Sequence, residues 1–394
     1  MTMTTNRRSA HPPPQHADLA VVMSGGGARA AYQVGVLASI AERRPDIVFP
    51  ILTGVSAGAI NTITLAAHPG NLHAKVTALR EEWSRLTAPQ VYRVRLSGLT
   101  GAAFKWIGQR ITGRQAGPTV VRGVMDMEPL RAYLSERVNL AGIDANVRAG
   151  RLRAVGLSAT CYTTGDTVTF VHGSPDVPMW ARAQRRSMRV SLNWDHVLAS
   201  ASIPILFPAI EVGRRVYYGD GSVRQAAPLA PAIHFGGRRL LAIGMRPREE
   251  RRAVRLEREY PSAAQVMGML FHSIFLDSLD ADEERLERVN ALLRGCAPEQ
   301  RKPTGLSPLK LLVIRPSVDL GAMARPHFHR LPSTMRRIVQ GIGGEREGSS
   351  DFVSYLLFDP AYTLPLMELG YDDANDQWGV IERFLDEPVE RGGL

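Results

Sequence analysis

The stretch that decides the fold class spans residues 18–68 and reads DLAVVMSGGGARAAYQVGVLASIAERRPDIVFPILTGVSAGAINTITLAAH. It begins with a short apolar run that ends at three glycines, which is typical of a buried parallel strand. Apolar residues at helical spacing then predict a helix over 28–42. A second strand is predicted over 46–53, followed by a tight turn and another helix. Strand, loop, helix, strand, turn and helix in this order predict a βαβ unit with parallel neighbouring strands.

The rest of the chain predicts more elements of the same mixed α/β domain. Strands are predicted at 153–160, 167–172, 210–212, 216–218, 240–245 and 309–314, and helices over most of 71–150, over 178–201 and over 246–295. We therefore expect three parts: a disordered tail at 1–17, a core at 18–245, and a mostly helical C-terminal part at 246–394 whose strand 309–314 completes the core.

The composition is that of a globular protein, since 44% of the 394 residues are apolar and 22% are charged. These values exclude a disordered, collagen-like or coiled-coil chain. With only two cysteines, Cys161 and Cys296, the sequence predicts neither a disulfide framework nor a zinc site. The 48 basic and 38 acidic residues give a net charge of +10, which favours anionic partners such as nucleic acid, acidic lipid headgroups or anionic substrates.

No targeting signal or membrane span is predicted. The first 17 residues lack an apolar core and end near a proline run, which indicates a tail and not a signal peptide. No stretch approaches the roughly 18 apolar residues that a membrane helix needs. We therefore expect a protein that is cytoplasmic or peripheral to a membrane.

The pattern Gly54-x-Ser56-x-Gly58 lies between a predicted strand and a predicted helix, which is the setting of a nucleophile elbow. Such a turn is tight, so small residues must flank the serine. The helix that follows directs its positive N-terminus at the serine. The alternative interpretation is a glycine-rich turn with an incidental serine, and the strand–turn–helix context favours the nucleophile.

The glycine cluster has two candidate ligands. Gly25-x-Gly27-x-x-Ala30 after a strand fits the fingerprint of a dinucleotide-binding loop. That fold needs an acidic residue at the end of the next strand, whereas Asp46 precedes the strand. A glycine loop also binds the oxyanion of a tetrahedral intermediate. In a right-handed βαβ crossover the two loops share one edge of the sheet, so the amides of the cluster are predicted to face Ser56.

A serine nucleophile needs a base, and Asp220 is a candidate. Only one strand–helix–strand unit precedes Ser56, unlike the α/β-hydrolase fold, and the downstream histidines lack the loop context of a catalytic histidine. Asp220 lies between Gly219 and Gly221 at the end of a predicted strand, where the alternative interpretation is an Asp-Gly turn. A free carboxylate is a poor base at neutral pH, so this role requires that burial raises its basicity.

Four motifs, in this order and spacing, resemble those of the patatin-like phospholipases, a family of acyl hydrolases with a serine–aspartate dyad. The motifs are SGGGARAAYQVGVL at 24–37, GVSAGAIN at 54–61, ASIPILFP at 201–208 and GDGS at 219–222, and the likeness covers roughly 18–245. The resemblance implies an α/β protein with a three-layer α/β/α fold, a mixed, mostly parallel central sheet and helical insertions. It makes 18–245 the catalytic core.

The resemblance also implies roles for single residues. The nucleophile is Ser56, in an elbow flanked by Gly54 and Gly58, and the proton acceptor is Asp220. The oxyanion hole consists of the glycine loop and the basic residue after it: Gly25, Gly26, Gly27 and Arg29. Ser222 stands where the family has Gly or Ala, a departure that concerns the shape of the loop. Family members need no metal, and we expect neither a metal nor a cofactor.

We interpret the chain as a serine hydrolase that cleaves carboxylic esters of lipids or phospholipids through an acyl-enzyme. Two alternatives stay open: a dinucleotide-binding enzyme that uses the loop from Gly25 to Gly27, and a non-catalytic basic module that binds lipid or nucleic acid. No nucleic-acid-binding signature is present, so a nucleic-acid partner is not expected. Basic and aromatic residues alternate in 83–125, which predicts either contact with an anionic membrane or a flap over the site with its aromatics packed inward.

Overall fold

The computed structural model describes residues 17–95, 123–247, 260–275, 277–344 and 350–387. Its strands are β1 (Leu19–Met23), β2 (Ile51–Val55), β3 (Arg93–Val94), β4 (Met125–Asp126), β5 (Ala154–Cys161), β6 (Thr167–Gly173), β7 (Ala181–Arg182), β8 (Arg185–Arg189), β9 (Ile210–Glu211), β10 (Tyr217–Asp220), β11 (Arg239–Ile243) and β12 (Lys310–Ile314). Ten of them form one mixed sheet in the order β12-β11-β1-β2-β5-β6-β8-β7, with β10 paired to β5 and β9 paired to β10. The other two, β3 and β4, form a separate antiparallel pair.

Helices cover both faces of this sheet. They are α1 (Ala31–Arg43), α2 (Ala57–Ala67), α3 (Leu72–Arg85), α4 (Ala88–Val91), α5 (Glu128–Arg137), α6 (Ala141–Arg148), α7 (Trp194–Ala201), α8 (Ala230–His234), α9 (Ala263–Phe275), α10 (Asp277–Gly295), α11 (Pro298–Arg301), α12 (Leu320–Ala324), α13 (Ser333–Gly341), α14 (Ser350–Leu356), α15 (Pro360–Asp376) and α16 (Trp378–Asp386). Within the described ranges, none of these helices combines the length and the apolar character that a membrane crossing requires.

The predicted βαβ unit forms the centre of the sheet. Strand β1 pairs in parallel with β2 on one side and with β11 on the other, and β12 extends the sheet beyond β11. Alternate residues of β1 enter two separate cores: Leu19 and Val21 pack in the core that contains α1, while Ala20 and Val22 pack with Leu240 on the opposite face. A mostly parallel sheet buried on both faces confirms the predicted α/β class.

The helix predicted over 178–201 is wrong in its first half. Residues 181–189 form the hairpin of β7 and β8, and the helix α7 begins only at Trp194. Strand β8 pairs in parallel with β6, with Thr167 opposite Arg185, and extends the sheet. Pairing with a strand already in place therefore outweighs the local sequence preference. The turn of the hairpin places Gln184 at a φ of 59°, a conformation that helix periodicity does not reveal.

The basic and aromatic segment at 83–125 is described only at its two ends. Trp83 is 3% exposed and its indole N–H donates to Asn61 Oδ1 at 2.8 Å, while Tyr92 is 2% exposed and donates to the Leu356 carbonyl. These two aromatic side chains therefore pack inward. The middle of the segment, 96–122, lies outside the described residues, and it contains Phe104, Trp106 and Arg110, on which the membrane prediction depends.

Candidate active site

Ser56 occupies a strained turn between β2 and α2. Its φ of 55° and ψ of −132° lie in a region that a side chain disfavours by about 1–3 kcal/mol, so the surroundings must hold it there. The Ser56 N–H donates to both the carbonyl and the hydroxyl of Ser200, each at 3.1 Å, and the hydroxyl of Ser200 donates to the Ser158 carbonyl. This turn directs the serine side chain away from the strand direction at the N-terminus of α2, as a nucleophile elbow does.

The two glycines that flank Ser56 are required by close backbone packing. A Cβ at Gly54 would lie 2.2 Å from Thr62 Oγ1, and a Cβ at Gly58 would lie 2.4 Å from the Met23 carbonyl oxygen. Neither contact is sterically allowed, so any larger residue would push α2 away from β1 and β2. The elbow pattern thus has a structural reason at both positions.

The glycine loop after β1 lies directly against the serine. The point at which a Cβ of Gly25 would stand is 3.0 Å from Ser56 Cβ. Gly27 adopts a φ of 57°, and a Cβ there would lie 2.2 Å from the Tyr355 carbonyl oxygen, so helix α14 packs on the outer side of the loop. At Gly26 the crowding is milder, with Met245 Cγ at 3.2 Å. The structure therefore brings this loop and Ser56 together as the βαβ geometry predicts.

The side chain of Arg29 is buried against helix α14 and binds two of its residues. It is 1% exposed, and its Nε donates to Ser354 Oγ at 2.7 Å, while Nη2 forms an ion pair with Asp351 at 2.8 Å. Its guanidinium also lies 4.6 Å from the centre of the Tyr355 ring. Burial by itself would lower the pKa of Arg29, and the charges of Tyr355, Tyr362 and Asp351 reverse this and raise it. Arg29 thus anchors the loop to a segment more than 300 residues away in the chain. No local sequence pattern predicts this contact.

Strand pairing explains why Asp220 meets Ser56. Strand β2 pairs with the first part of β5, ending with Val55 opposite Ser158. Strand β10 then pairs antiparallel with the rest of β5, with Asp220 opposite Ala159. Strand β6 occupies the other edge of β5, so β2 and β10 lie end to end on one side of it. Their last residues face consecutive positions of β5, which brings the two functional side chains together.

Asp220 is a fully buried carboxylate with one unpartnered oxygen. Its Oδ1 accepts a hydrogen bond from the Ser222 N–H at 2.9 Å, and Oδ2 has no hydrogen-bond partner among the described residues. Burial raises the pKa of Asp220 to about 6, although Ser56 and Ser222 act to lower it. The Ser56 hydroxyl is thus close enough to influence the carboxylate, although it forms no hydrogen bond to Oδ2. The pKa is that of a better base than an ordinary aspartate.

Close packing also requires the two glycines that flank Asp220. A Cβ at Gly221 would lie 2.2 Å from the Ser158 carbonyl oxygen, and one at Gly219 would lie 2.1 Å from the Tyr162 hydroxyl. The strand β10 therefore approaches β5 as closely as its backbone allows. This contact gives the Gly-Asp-Gly motif a structural role besides any chemical one.

An apolar cavity opens beside Ser56 between α2, α3 and α5. Its walls include Ile60, Thr64, Leu79, Trp83, Leu86, Leu130, Leu134, Ile203, Phe207 and Leu356. On α2 the lining residues Ala57, Ile60 and Thr64 lie on one face over about two helical turns, or roughly 10 Å. Glu82 and Arg137 also line the cavity and form an ion pair at 3.1 Å. The cavity itself has a volume of about 60 Å³, and the empty space that includes its open mouth is about 800 Å³.

Two histidines that could replace Asp220 as a base have other partners. His172 Nε2 lies 2.8 Å from Asp144, and His196 Nδ1 accepts a hydrogen bond from the Asn193 N–H at 3.2 Å at the start of α7. Burial lowers the pKa of His196 and of His272. In the part of the chain that the structure describes, no cluster of His, Cys, Asp or Glu is arranged to bind a metal ion.

The chain is distantly similar to several solved structures. One is VipD from Legionella pneumophila, with 11% identity, a TM-score of 0.36, and coverage of 94% of this chain and 67% of that one. Human GIVD cytosolic phospholipase A2 in complex with methyl gamma-linolenyl fluorophosphonate has 14% identity, a TM-score of 0.40, and coverage of 93% and 58%. This chain therefore spans less than two thirds of the human protein in that structure. A search of curated proteins found no match.

The family comparison is the decisive one. The model of the patatin-like phospholipases matches residues 21–233, more than half of the chain. This range contains both the glycine loop that faces Ser56 and the strand that ends at Asp220. The chain belongs to the patatin-like phospholipase family, a family of lipid acyl hydrolases.

Proposed function

We propose that the protein hydrolyses carboxylic esters of lipids or phospholipids through the dyad of Ser56 and Asp220. The observation that carries the proposal is the pairing of a serine in a strained elbow with a buried carboxylate whose Oδ2 is unpartnered in the described structure. No imidazole is needed in this scheme, because burial has already raised the pKa of the carboxylate to about 6. At neutral pH most of the enzyme then carries an ionised base that is stronger than an ordinary aspartate.

The reaction proceeds by acyl transfer to the enzyme and then to water. Asp220 accepts the Ser56 proton as the Oγ–carbon bond forms, and the carbonyl electrons move onto the oxygen. The N–H groups of the glycine loop stabilise that oxyanion. Collapse expels the alcohol, which takes the proton from Asp220. Water then attacks the acyl-enzyme, gives its proton to Asp220, and the fatty acid leaves as the proton returns to Ser56. An ester is the expected substrate, since its leaving group needs less protonation than an amine.

The apolar cavity supplies the site for the acyl chain. Its described walls are almost wholly hydrocarbon, and Ser56 and Gly27 lie among its lining residues. Each buried methylene contributes about 0.8 kcal/mol of transfer free energy, so a chain in this cavity gains affinity with length until the cavity is full. A cavity between α2, α3 and α5 therefore favours a fatty acyl ester over a short, polar one.

A dinucleotide site fits the structure less well. Gly25 faces Ser56 and Gly27 is covered by the Tyr355 backbone, so the loop is enclosed by protein atoms on two sides. Asp46 lies before β2 and cannot reach a ribose at the end of that strand. The oxyanion function agrees better with both observations.

The test is a panel of phospholipids, lysophospholipids and neutral glycerides, with products read by mass spectrometry. We expect fatty acid release by the wild-type chain, and covalent labelling of Ser56 by an alkyl fluorophosphonate. Ser56→Ala should abolish both. Release of fatty acid by Ser56→Ala at the wild-type rate would refute the proposed nucleophile.

The acyl site has its own test at Leu134, which is 5% exposed and lines the cavity. Leu134→Trp should fill part of the cavity and lower the kcat/KM for p-nitrophenyl palmitate far more than for p-nitrophenyl butyrate. Leu134→Ala, which enlarges the cavity, should not impair the butyrate ester. Equal losses on both esters in a variant with a wild-type melting curve would place the acyl chain elsewhere.

A further inference from the structure

Ser222 carries a buried hydroxyl beside the proposed base. The residue is 6% exposed and lies in the short 3-10 turn Gly221–Val223 that follows Asp220. Its backbone N–H donates to Asp220 Oδ1, whereas its Oγ has no hydrogen-bond partner among the described residues. Buried hydroxyl groups are almost always hydrogen-bonded, and one without a partner at a reaction centre calls for an explanation.

The hydroxyl of Ser222 lies against the glycine loop. Ser222 Oγ lies 2.8 Å, and Ser56 Cβ 3.0 Å, from the point where a Cβ of Gly25 would stand, so both atoms border the same glycine. Ser222 is thus a neighbour of the nucleophile as well as of the base. A residue with no side-chain oxygen at position 222 would leave the same backbone hydrogen bond to Oδ1 but no second donor.

The hydroxyl of Ser222 and the Oδ2 atom of Asp220 are a complementary hydrogen-bond donor and acceptor. The hydroxyl of Ser222 can donate one hydrogen bond, and Asp220 Oδ2 is an acceptor that the described residues leave unpartnered. Rotation about a single side-chain bond changes the direction of the O–H group. A charge-assisted hydrogen bond of this kind is stronger than one between neutral groups.

We propose, on the basis of the dyad proposed above, that Ser222 is a positioning residue whose hydroxyl donates a hydrogen bond to the ionised carboxylate of Asp220 and holds it in the orientation that accepts the Ser56 proton. The proton of Ser222 stays on its own oxygen throughout. In the acylation step the Ser56 proton moves first to Asp220 and then to the leaving alcohol, and in the deacylation step a proton of water moves through Asp220 to Ser56. Ser222 therefore acts on the reaction through Asp220.

A hydrogen bond to the ionised carboxylate lowers the pKa of Asp220, whereas burial raises it. The pKa of Asp220 is raised by burial and lowered by Ser56 and Ser222, and it lies at about 6. Other titratable groups on the packed elements are Cys161 on β5, Glu211 on β9, and Asp195 and His196 on α7, with Tyr162 and Tyr355 also close enough to sense the Asp220 charge. None of these is among the causes of the shift of Asp220. Removal of the Ser222 hydroxyl should therefore raise this pKa further.

The experiment measures kcat/KM for a soluble short-chain ester from pH 4.5 to 9 in three chains. Ser222→Ala should move the acidic limb upward by about one pH unit, as expected when a hydrogen bond to a charged group is lost. Activity above pH 8 should fall by less than about threefold. Ser278→Ala is the matched control, because Ser278 lines the same small cavity behind Gly25, and its limb should stay where the wild-type limb lies.

A second measurement does not depend on activity. The free energy of unfolding of Ser222→Ala, from urea titration, should fall relative to wild type more at pH 8 than at pH 4.5, because the lost hydrogen bond stabilises only the ionised carboxylate. An unmoved limb, or an equal loss of rate at every pH, would overturn the role of Ser222. A result that refutes the proposed dyad is distinguishable from this one, because Ser56→Ala would then retain activity in the same assay.

Discussion

The burial of Asp220 predicts that the proposed base destabilises the fold at neutral pH. Its pKa rises from 3.8 to about 6, so between these values the folded chain binds more protons than the unfolded chain. Stability therefore falls as the pH rises through this window, and the full penalty is present above about pH 6. The difference of about two pKa units corresponds to about 3 kcal/mol at 1.36 kcal/mol per unit.

Asp220→Asn should remove this pH-dependent penalty together with the activity. We expect the free energy of unfolding of the variant, minus that of wild type, to rise by about 2 kcal/mol between pH 4.5 and pH 7.5. The asparagine amide keeps the acceptor for the Ser222 N–H, so the turn should survive. The rate of ester hydrolysis should fall by at least about 10³-fold, because an amide cannot accept the Ser56 proton.

Urea unfolding at four or five pH values, followed by circular dichroism, measures this difference. Glu211→Gln is the control, since it removes a carboxylate from an exposed position in the adjoining hairpin, and its effect should stay within about 0.5 kcal/mol at every pH. If the free energy of unfolding of Asp220→Asn minus that of wild type does not change with pH, the carboxylate does not titrate at about 6. Asp220 would then be no stronger a base than an ordinary aspartate.

Three further predictions concern the residues around the dyad. Ser56→Ala should abolish ester hydrolysis and, because it removes only the side-chain oxygen and keeps the Cβ and the backbone turn, should leave the melting temperature within a few degrees of wild type; a lower-melting protein would show that the hydroxyl is structural. Gly25→Ala places a methyl 2.8 Å from Ser222 Oγ and should lower kcat by about 10²-fold, whereas Gly244→Ala, which meets only ordinary contacts at 3.5 Å, should retain it. Asp351→Asn leaves the buried charge of Arg29 without its ion pair and should lower the free energy of unfolding by about 3 kcal/mol. It should also lower kcat, and an unchanged kcat would show that the conformation of the glycine loop does not depend on α14.

Local patterns were sufficient to predict the centre of the fold. The glycine loop, the elbow and the strand at β10 each follow from short-range rules of turn geometry and alternation, and the parallel order of β1 and β2 follows from the helix between them. The likeness of four motifs adds the prediction that Ser56 and Asp220 act together. What the sequence did not contain is the way in which they meet, since this depends on two strands that share one edge of β5.

Features built from distant segments could not be predicted in this way. The hairpin at 181–189 owes its conformation to pairing with β6, and no periodicity in its arginine-rich sequence indicates that partner. The apolar cavity proposed to hold the acyl chain lies between three helices whose apolar faces look like ordinary core faces when each is considered alone. In the sequence Ser222 is only a departure from a family pattern, and the burial of its unpartnered hydroxyl depends on the folded chain around it.

The contact between Arg29 and α14 changes how the C-terminal part must be regarded. The family match ends at residue 233, yet the guanidinium of Arg29 is buried only because Asp351, Ser354 and Tyr355 enclose it. A buried cation without its partner is strongly destabilising, so the glycine loop cannot keep this conformation when that helix is absent. The glycine loop also lies against Ser56, so the position of the proposed oxyanion donors depends on a helix far outside the matched region. We therefore expect the catalytic unit to include α14, beyond the predicted core boundary at 245.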